Sequence, residues 1–359
     1  MLQHAIEMGG DRTLASRQPT TSEGRPVRMV LLTWPMVALL GATVAAGTCL
    51  LGDCPLYGRR QAKETLVRDI GAIKSTAFRP DGTMLSSLGI DGSVLIWDMA
   101  KRTRTAFIPR GIGPAHCLAF SPDNRILAGA NVNAVVSLYD LDRDLARTLD
   151  DIPTATVAAT CLAFSADGET LAVGQADGKI TLWDAATGHK RSTLGGHESF
   201  VVSLAFAPDG ATLVSSGNGC LTRVWDVATA SERFTIAGRT NTSAALSFSP
   251  DSRLLATSDR ITPTVRLWNM ASGTEHASLR GPAGAVVGVA ISPDGTTLAA
   301  AGYQGAVTFW DLDSFKIRPG KLWHAGVRTI AFAPDGRTLA TGGFDGTIKL
   351  WDFPVASGG

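Results

Sequence analysis

A five-residue phrase recurs seven times along the chain, and no other feature narrows the fold so far. Phe, any residue, Pro, Asp, Gly, with close variants, stands at Phe78–Gly82, Phe120–Asn124, Phe164–Gly168, Phe206–Gly210, Phe248–Ser252, Ile291–Gly295 and Phe332–Gly336. The successive first residues are 42, 44, 42, 42, 43 and 41 positions apart. An aromatic residue followed by an acid or amide comes 19 residues after each, or 20 in the fifth copy: Trp97-Asp98, Tyr139-Asp140, Trp183-Asp184, Trp225-Asp226, Trp268-Asn269, Trp310-Asp311 and Trp351-Asp352. A fixed period of this size marks a repeat architecture, in which each copy buries its apolar faces only against its neighbours.

Within a copy, Ser203–Phe206 reads as a short buried strand and Pro208-Asp209-Gly210 as a turn in which Pro presets φ and Gly accepts a positive φ. Thr212–Ser215 is the returning strand. A second turn follows, clearest at Asp91-Gly92, Asp177-Gly178 and Asp345-Gly346, where Asp-Gly favours a tight primed turn. A third strand ends in the Trp-Asp pair, and after a turn such as Ala185–His189 the pair Thr193-Leu194 begins an outer strand. Four short antiparallel strands per copy, without any helical period, predict an all-β ring of seven four-stranded sheets, a seven-bladed β-propeller. After Trp351-Asp352 only Phe353–Gly359 remain, too few to supply the last outer strand. Leu66 precedes Phe78 by 12 residues, as Leu194 precedes Phe206, so a strand at 63–68 is predicted to close the ring, with the propeller spanning 63–359.

Gly-His, Phe-x-Pro-Asp-Gly, Asp-Gly and Trp-Asp at these spacings resemble the WD40 repeat family over about residues 63 to 353. The resemblance implies a non-catalytic platform for protein partners. It also implies a hydrogen-bonded set within a blade, made of His, Ser or Thr, the second-turn Asp and the Trp. Only the seventh copy has all four, as His324, Thr341, Asp345 and Trp351. The first keeps Ser87, Asp91 and Trp97; the fourth keeps His197, Ser215 and Trp225, with Gly219 in the Asp position. A catalytic triad is the alternative reading of this grouping, and its recurrence blade by blade favours a buried structural network. The resemblance further implies a partner-binding face carrying Ile90, Tyr303, Phe344, Phe200, Val202, Lys74, His116 and Arg328. Tyr, Phe and Arg are strong interface anchors, whereas the competing assignment is loop residues packed on neighbouring blades.

Ahead of the repeats, Met29–Leu51 is a stretch of 23 residues without a charge, long enough to span a bilayer as a helix. It is longer than a secretory apolar region and follows a 28-residue polar tail, so a transmembrane signal anchor is expected at 29–51, with a disordered tail at 1–28 and a linker at 52–62. Cleavage of the segment, or lipidation at Cys49 behind Ala46-Gly47-Thr48, is the competing possibility. Arg12, Arg17, Arg25 and Arg28 balance Arg59, Arg60, Lys63 and Arg68, but Arg25 and Arg28 lie nearest the span. That places the N-terminus inside and the propeller on the extracytoplasmic side.

With 33 Lys+Arg against 32 Asp+Glu and a net charge of +1, the chain lacks the basic footprint of a nucleic-acid binder. Five cysteines make neither a disulfide framework nor a CxxC pair, and Cys117 and Cys161 occupy equivalent positions that Ser75 and Ser203 fill in other copies. No Walker A run or G-x-S-x-G elbow occurs, and Val201 stands where a zinc-protease helix beginning at His197-Glu198 needs its second His. No enzyme activity, cofactor or metal is therefore expected. The competing function is an extracytoplasmic propeller enzyme or small-molecule sensor using the central channel, which would need converging ionisable residues on the inner strands.

Overall fold

The computed structural model describes residues 62–66, 71–108, 115–131, 135–149, 157–219, 221–237, 243–259, 261–282, 284–320 and 322–353. The tail, the expected span at 29–51 and almost all of the linker lie outside them. Among the described residues no helix is long and apolar enough to cross a membrane.

Among those residues, 28 strands form seven antiparallel sheets of four. The first sheet, blade 1, runs Ile73–Phe78, Met84–Gly89, Val94–Asp98, Thr103–Ile108 from the axis outwards. The inner strands of blades 2 to 7 are Ala115–Phe120, Ala159–Phe164, Val201–Phe206, Ser243–Phe248, Val286–Ile291 and Val327–Phe332. Each inner strand contacts the next, and that of blade 7 returns to that of blade 1, so the sheets close into a ring. The chain is thus a seven-bladed β-propeller.

Blade 7 takes its outer strand from Glu64–Leu66, in register Glu64↔Leu350, Thr65↔Lys349 and Leu66↔Ile348. Leu66 is buried in one cluster with Ile348, Leu350, Ile73, Leu85 and Trp97, which joins blade 7 to blade 1. The inner strands meet at the same seam through Thr76 Oγ1 and Thr329 Oγ1, 3.1 Å apart. Cores of this kind lie between blades throughout: Ile180, Leu182 and Leu194 of blade 3 pack with Val201, Leu204, Leu213 and Trp225 of blade 4. Each large aliphatic buried this way contributes about 1.5–3 kcal/mol.

Two expectations need correction. The outer strand of blade 3 is Lys190–Leu194, so Thr193-Leu194 ends it rather than beginning it, because Gly188 at φ 78° already completes the preceding turn. The second turns are also not primed. In blade 1, Gly92 N–H donates to Gly89 O at 3.0 Å and Gly89 N–H to Ser93 O at 2.9 Å, and only Gly92, at φ 83°, is left-handed. A type I′ turn centred on Asp91-Gly92 needs positive φ at both, and Asp91 does not have it; instead Ile90 and Asp91 are the central residues of a type I turn closed by the left-handed Gly92.

The first turns and the Trp-Asp turns share one end of the ring, here the lower rim. The Asp of Trp-Asp caps its turn: Asp98 accepts from the N–H of Ala100 and Lys101, and Asp184 from those of Ala186 and Thr187. Asn269 accepts from Ala271 and Ser272 in the same way, since the turn requires only an acceptor oxygen. The Pro-Asp-Gly turns interlock between blades. A Cβ placed on Gly82, Gly168, Gly295 or Gly336 would contact the turn proline of the preceding blade, respectively Pro334, Pro122, Pro250 and Pro293. Two copies replace that glycine while keeping its left-handed conformation: Asn124 at φ 66° and Ser252 at φ 61°. Asn124 Oδ1 accepts from Asp81 N–H and Ser252 Oγ from Asp209 N–H, each 3.0 Å away in the preceding blade. The strain of a non-glycine residue is offset there by a hydrogen bond between blades.

Candidate functional site

The second turns and the loops entering the inner strands form the upper rim, where two groups of residues gather: a buried polar network in blade 7 and an exposed aromatic arc.

In blade 7, Trp351 Nε1–H donates to Thr341 Oγ1 at 2.9 Å, and Thr341 Oγ1 lies 2.7 Å from His324 Nδ1. The Thr341 hydroxyl donates to Nδ1, because the acceptor-only Asp345 on the far side of the neutral ring puts its hydrogen on Nε2. That nitrogen faces Asp345 Oδ1 at 3.2 Å and Thr347 Oγ1 at 3.0 Å. Thr347 also donates its hydroxyl and backbone N–H to Asp345 Oδ1. Burial lowers the His324 pKa and keeps the ring neutral against the opposing pull of Asp345. Burial alone would raise the Asp345 carboxyl, but the Thr347 and His324 hydrogen bonds outweigh it and its pKa is lowered. His324 and Thr341 are both completely buried, so the hydroxyl of this Thr-His-Asp chain cannot meet a substrate. Thr347 was not singled out from the sequence; its position two residues after the turn acid, where a hydroxyl donates back to that acid, is the signal that finds it.

Blade 4 forms a shortened version. Trp225 Nε1–H donates to Ser215 Oγ at 2.8 Å, and Ser215 Oγ lies 2.7 Å from His197, here from Nε2. Gly219 supplies no carboxylate in the place of Asp345, and a cavity of about 20 Å³ there is lined by His197, Glu198, Ser199, Asn218, Gly219 and Leu221. Desolvation lowers the His197 pKa to about 4, aided by the Arg223 charge and opposed by Glu232. Gly217 and Gly343 occupy equivalent positions beside these two imidazoles, where a Cβ would collide with the ring. The equivalent hydroxyl accepts from the Trp in blades 1 and 5 as well, as Ser87 and Thr257, but in blade 3 the Trp turns to Thr181 of its own strand, because Val173 stands in the usual hydroxyl position.

The inner strand of every blade has a register break next to its second residue, so Lys74, Thr160, Val202, Val287 and Arg328 are extra residues without a cross-strand partner. Such bulges re-aim a side chain, and here they lie at the upper end of each inner strand. Of the residues expected on the binding face, Ile90, Tyr303 and Phe344 are exposed by 65%, 50% and 42%. Phe200 and Val202 are half-buried, and Phe200 holds the second turn of its blade by accepting from Asn218 N–H. His116 lies on the blade 2 inner strand, and its side chain is outside the described set.

Tyr303 of blade 6 and Phe344 of blade 7 meet edge to face, their centroids 6.1 Å apart, and the exposed Arg328 sets its guanidinium 4.4 Å above the Phe344 ring. Ile90 continues this line into blade 1. Trp323, 39% exposed beside Gly305 in blade 6, extends it the other way and was not picked out from the sequence. Lys74 is half-buried on the neighbouring inner strand; desolvation brings its amine down to about 8, with the Arg328 charge adding to the fall and Cys117 opposing it. Burial raises the thiols of Cys117 and Cys161, the latter to about 12, which makes both inert. Among the described residues no group of three or more His, Cys, Asp or Glu side chains is placed to hold a metal.

Seven four-stranded blades, with Trp-Asp-capped turns and a Trp-Thr-His-Asp network, define a repeat propeller with an exposed aromatic arc on its upper rim. The chain carries WD40 repeats: the WD domain, G-beta repeat family matches residues 65–98, 273–311 and 320–352. The Vps8 beta-propeller family matches residues 109–224, across blades 2 to 4. No curated protein matches the chain significantly.

Proposed function

We propose that the ring is a non-catalytic platform which binds a protein partner on the upper-rim arc of Ile90, Tyr303, Phe344 and Arg328. The carrying observation is the clustering of exposed apolar groups. Among the described residues, four of the seven large hydrophobic residues with high exposure, Ile90, Tyr303, Trp323 and Phe344, fall on three consecutive blades at one end of the ring. Contiguous exposed apolar surface ringed by polar turns is characteristic of interaction sites. Residues 29–51 anchor this platform in a membrane as a single span, with the ring on the extracytoplasmic side.

A photoreactive amino acid placed at position 303 or 344 tests the reading, with Leu145, exposed by 63% in blade 2, as control. Crosslinks to one discrete partner from 303 and 344 but not from 145 are expected. Equal crosslinking from all three positions would contradict the assignment of this face.

A further inference from the structure

The polar groups beside the arc indicate the chemistry of its partner. The residues at the bulged position of the seven inner strands are Lys74, His116, Thr160, Val202, Ala244, Val287 and Arg328, which include two fixed cations and no acid. Lys74 and Arg328 occupy equivalent positions on the contacting inner strands of blades 1 and 7. The second-turn acids of the same rim are already engaged. Asp91 accepts from Ser93 N–H and Oγ–H; Asp177 from Lys179 N–H, with its ammonium 2.9 Å away; Asp345 from Thr347 and His324; Asp259 from Ile261 and Thr262. Among the described residues no ion pair joins Arg328 to an acidic side chain, and its guanidinium lies over the Phe344 ring. A guanidinium held over an aromatic ring still has N–H groups to offer the two oxygens of a carboxylate.

We propose that the arc docks an acidic peptide segment of a protein partner, with a carboxylate paired to Arg328 and an adjacent apolar side chain seated on the Tyr303–Phe344 ring pair. The inference rests on the platform reading and deepens it. Two cations at the mouth suit one or two carboxylates. They are too few for an anionic bilayer, which is recognised by clusters of about four to eight basic residues, or for a nucleic acid, which takes a comparable number of phosphate contacts. The repulsion between Lys74 and Arg328, which contributes to the lowered amine of Lys74, is relieved when an anion arrives between them.

The test selects a random dodecamer peptide library against the full-length chain. The most enriched peptides are then remade with Asp and Glu replaced by Asn and Gln, and titrated against the parent, Arg328→Gln, Arg328→Lys and Phe344→Ser. Both arginine variants change an exposed side chain, and thermal melts verify that they fold. Enriched peptides should carry an acid within about three residues of a Leu, Ile, Phe or Trp. Neutralising that acid should weaken binding by roughly tenfold, Arg328→Gln should cause the same loss, and the two together should add less than about twofold more, because one pairing is removed in each case. Arg328→Lys should fall between parent and Gln, since it keeps the charge without the planar fork. Peptides that lose affinity with Phe344→Ser but are indifferent to Arg328→Gln would overturn the acidic pairing and leave the platform standing. Enrichment no greater than on a Tyr303→Ser, Phe344→Ser double variant would overturn both. Arg328-dependent binding to phosphatidylserine vesicles, without peptide enrichment, would replace the peptide with a lipid headgroup.

Discussion

At the lower rim, the turn glycines of blades 1, 3, 6 and 7 lie against a proline of the preceding blade, and where Asn124 or Ser252 replaces the glycine a hydrogen bond joins the two blades. At the upper rim, the equivalent hairpin ends of blades 1, 6 and 7 hold Ile90, Tyr303 and Phe344 out in solvent. One repeat makes both ends, so the contrast lies in what the side chains have been given to do. Below, the turns of six blades contact or bond the turn of a neighbouring blade, and the Trp-Asp acids cap their own turns. Above, stability resides in the buried network beneath the turns, and the turn tips are released from it. Substitutions on the lower rim, at the closing seam or in the network should therefore register as lost stability, and substitutions at the tips as lost binding.

The largest stability effect is expected at the seam. A chain lacking residues 1–70 loses the Glu64–Leu66 strand and the buried Leu66, whereas one lacking 1–62 keeps both. Removing a buried leucine alone costs about 2–5 kcal/mol, and the exposed edge adds to it, so the two midpoints should differ by about 10 °C or more. Equal midpoints by thermal denaturation would show that the ring does not depend on this strand.

Within the network the expected order is blade 7 above blade 4. Thr341→Ala takes the acceptor from Trp351 and the donor from His324 in a fully buried place, and should cost about 2–4 kcal/mol in urea melts. Asp345→Ala removes only the outer end and should cost about 1–3 kcal/mol. Adding the missing acid by Gly219→Asp, where a Cβ meets nothing within 4 Å, should raise the His197 pKa from about 4, as seen by NMR titration.

The same histidines set a pH dependence. Both imidazoles have pKa values lowered in the folded state, His197 to about 4, against an unfolded value near 6.5. Their neutral forms thus favour folding fully above pH ~6.5, and that contribution is lost as pH falls towards ~4. After allowance for solvent screening at the half-exposed His197, stability should drop by on the order of 1–2 kcal/mol between pH ~7 and ~5. His197→Gln should flatten the slope; an unchanged slope would place the protonation elsewhere.

The smallest effect separates conformation from contact on the lower rim. Asn124→Gly keeps the left-handed turn and loses one hydrogen bond to Asp81, two changes of opposite sign, and should stay within about 1 kcal/mol of the parent. Asn124→Ala loses the bond and strains the turn, and should cost about 1–2 kcal/mol. Equal effects would remove the argument that the side chain compensates the conformation.

The blade count, the four strands of each blade and the Trp-Asp turns are legible in the sequence because each depends on short-range chemistry repeated seven times: turn residues, alternation and a capping oxygen. The local turn geometry was less legible. Asp-Gly suggests a primed turn, whereas the structure starts the turn one residue earlier and confines positive φ to the glycine. For the site, sequence spacing brings Tyr303 and Phe344 to one rim but cannot show that their rings meet, that Arg328 lies over one of them, or that Phe200 is partly covered. Those depend on the bulge of the inner strand and on packing between blades. Thr347 and Trp323 were missed because neither belongs to the repeated motif.

The division of labour between the rims is tested most directly by the triple variant Ile90→Ser, Tyr303→Ser, Phe344→Ser. Its thermal midpoint should be read beside its affinity for the partner or peptide that the parent binds. All three side chains are exposed, so the midpoint should stay within about 2 °C of the parent, while loss of several interface anchors weakens binding by two or more orders of magnitude. A clearly lowered midpoint with undiminished binding would mean that these tips hold the ring together, like the turns of the lower rim, and that the partner docks elsewhere.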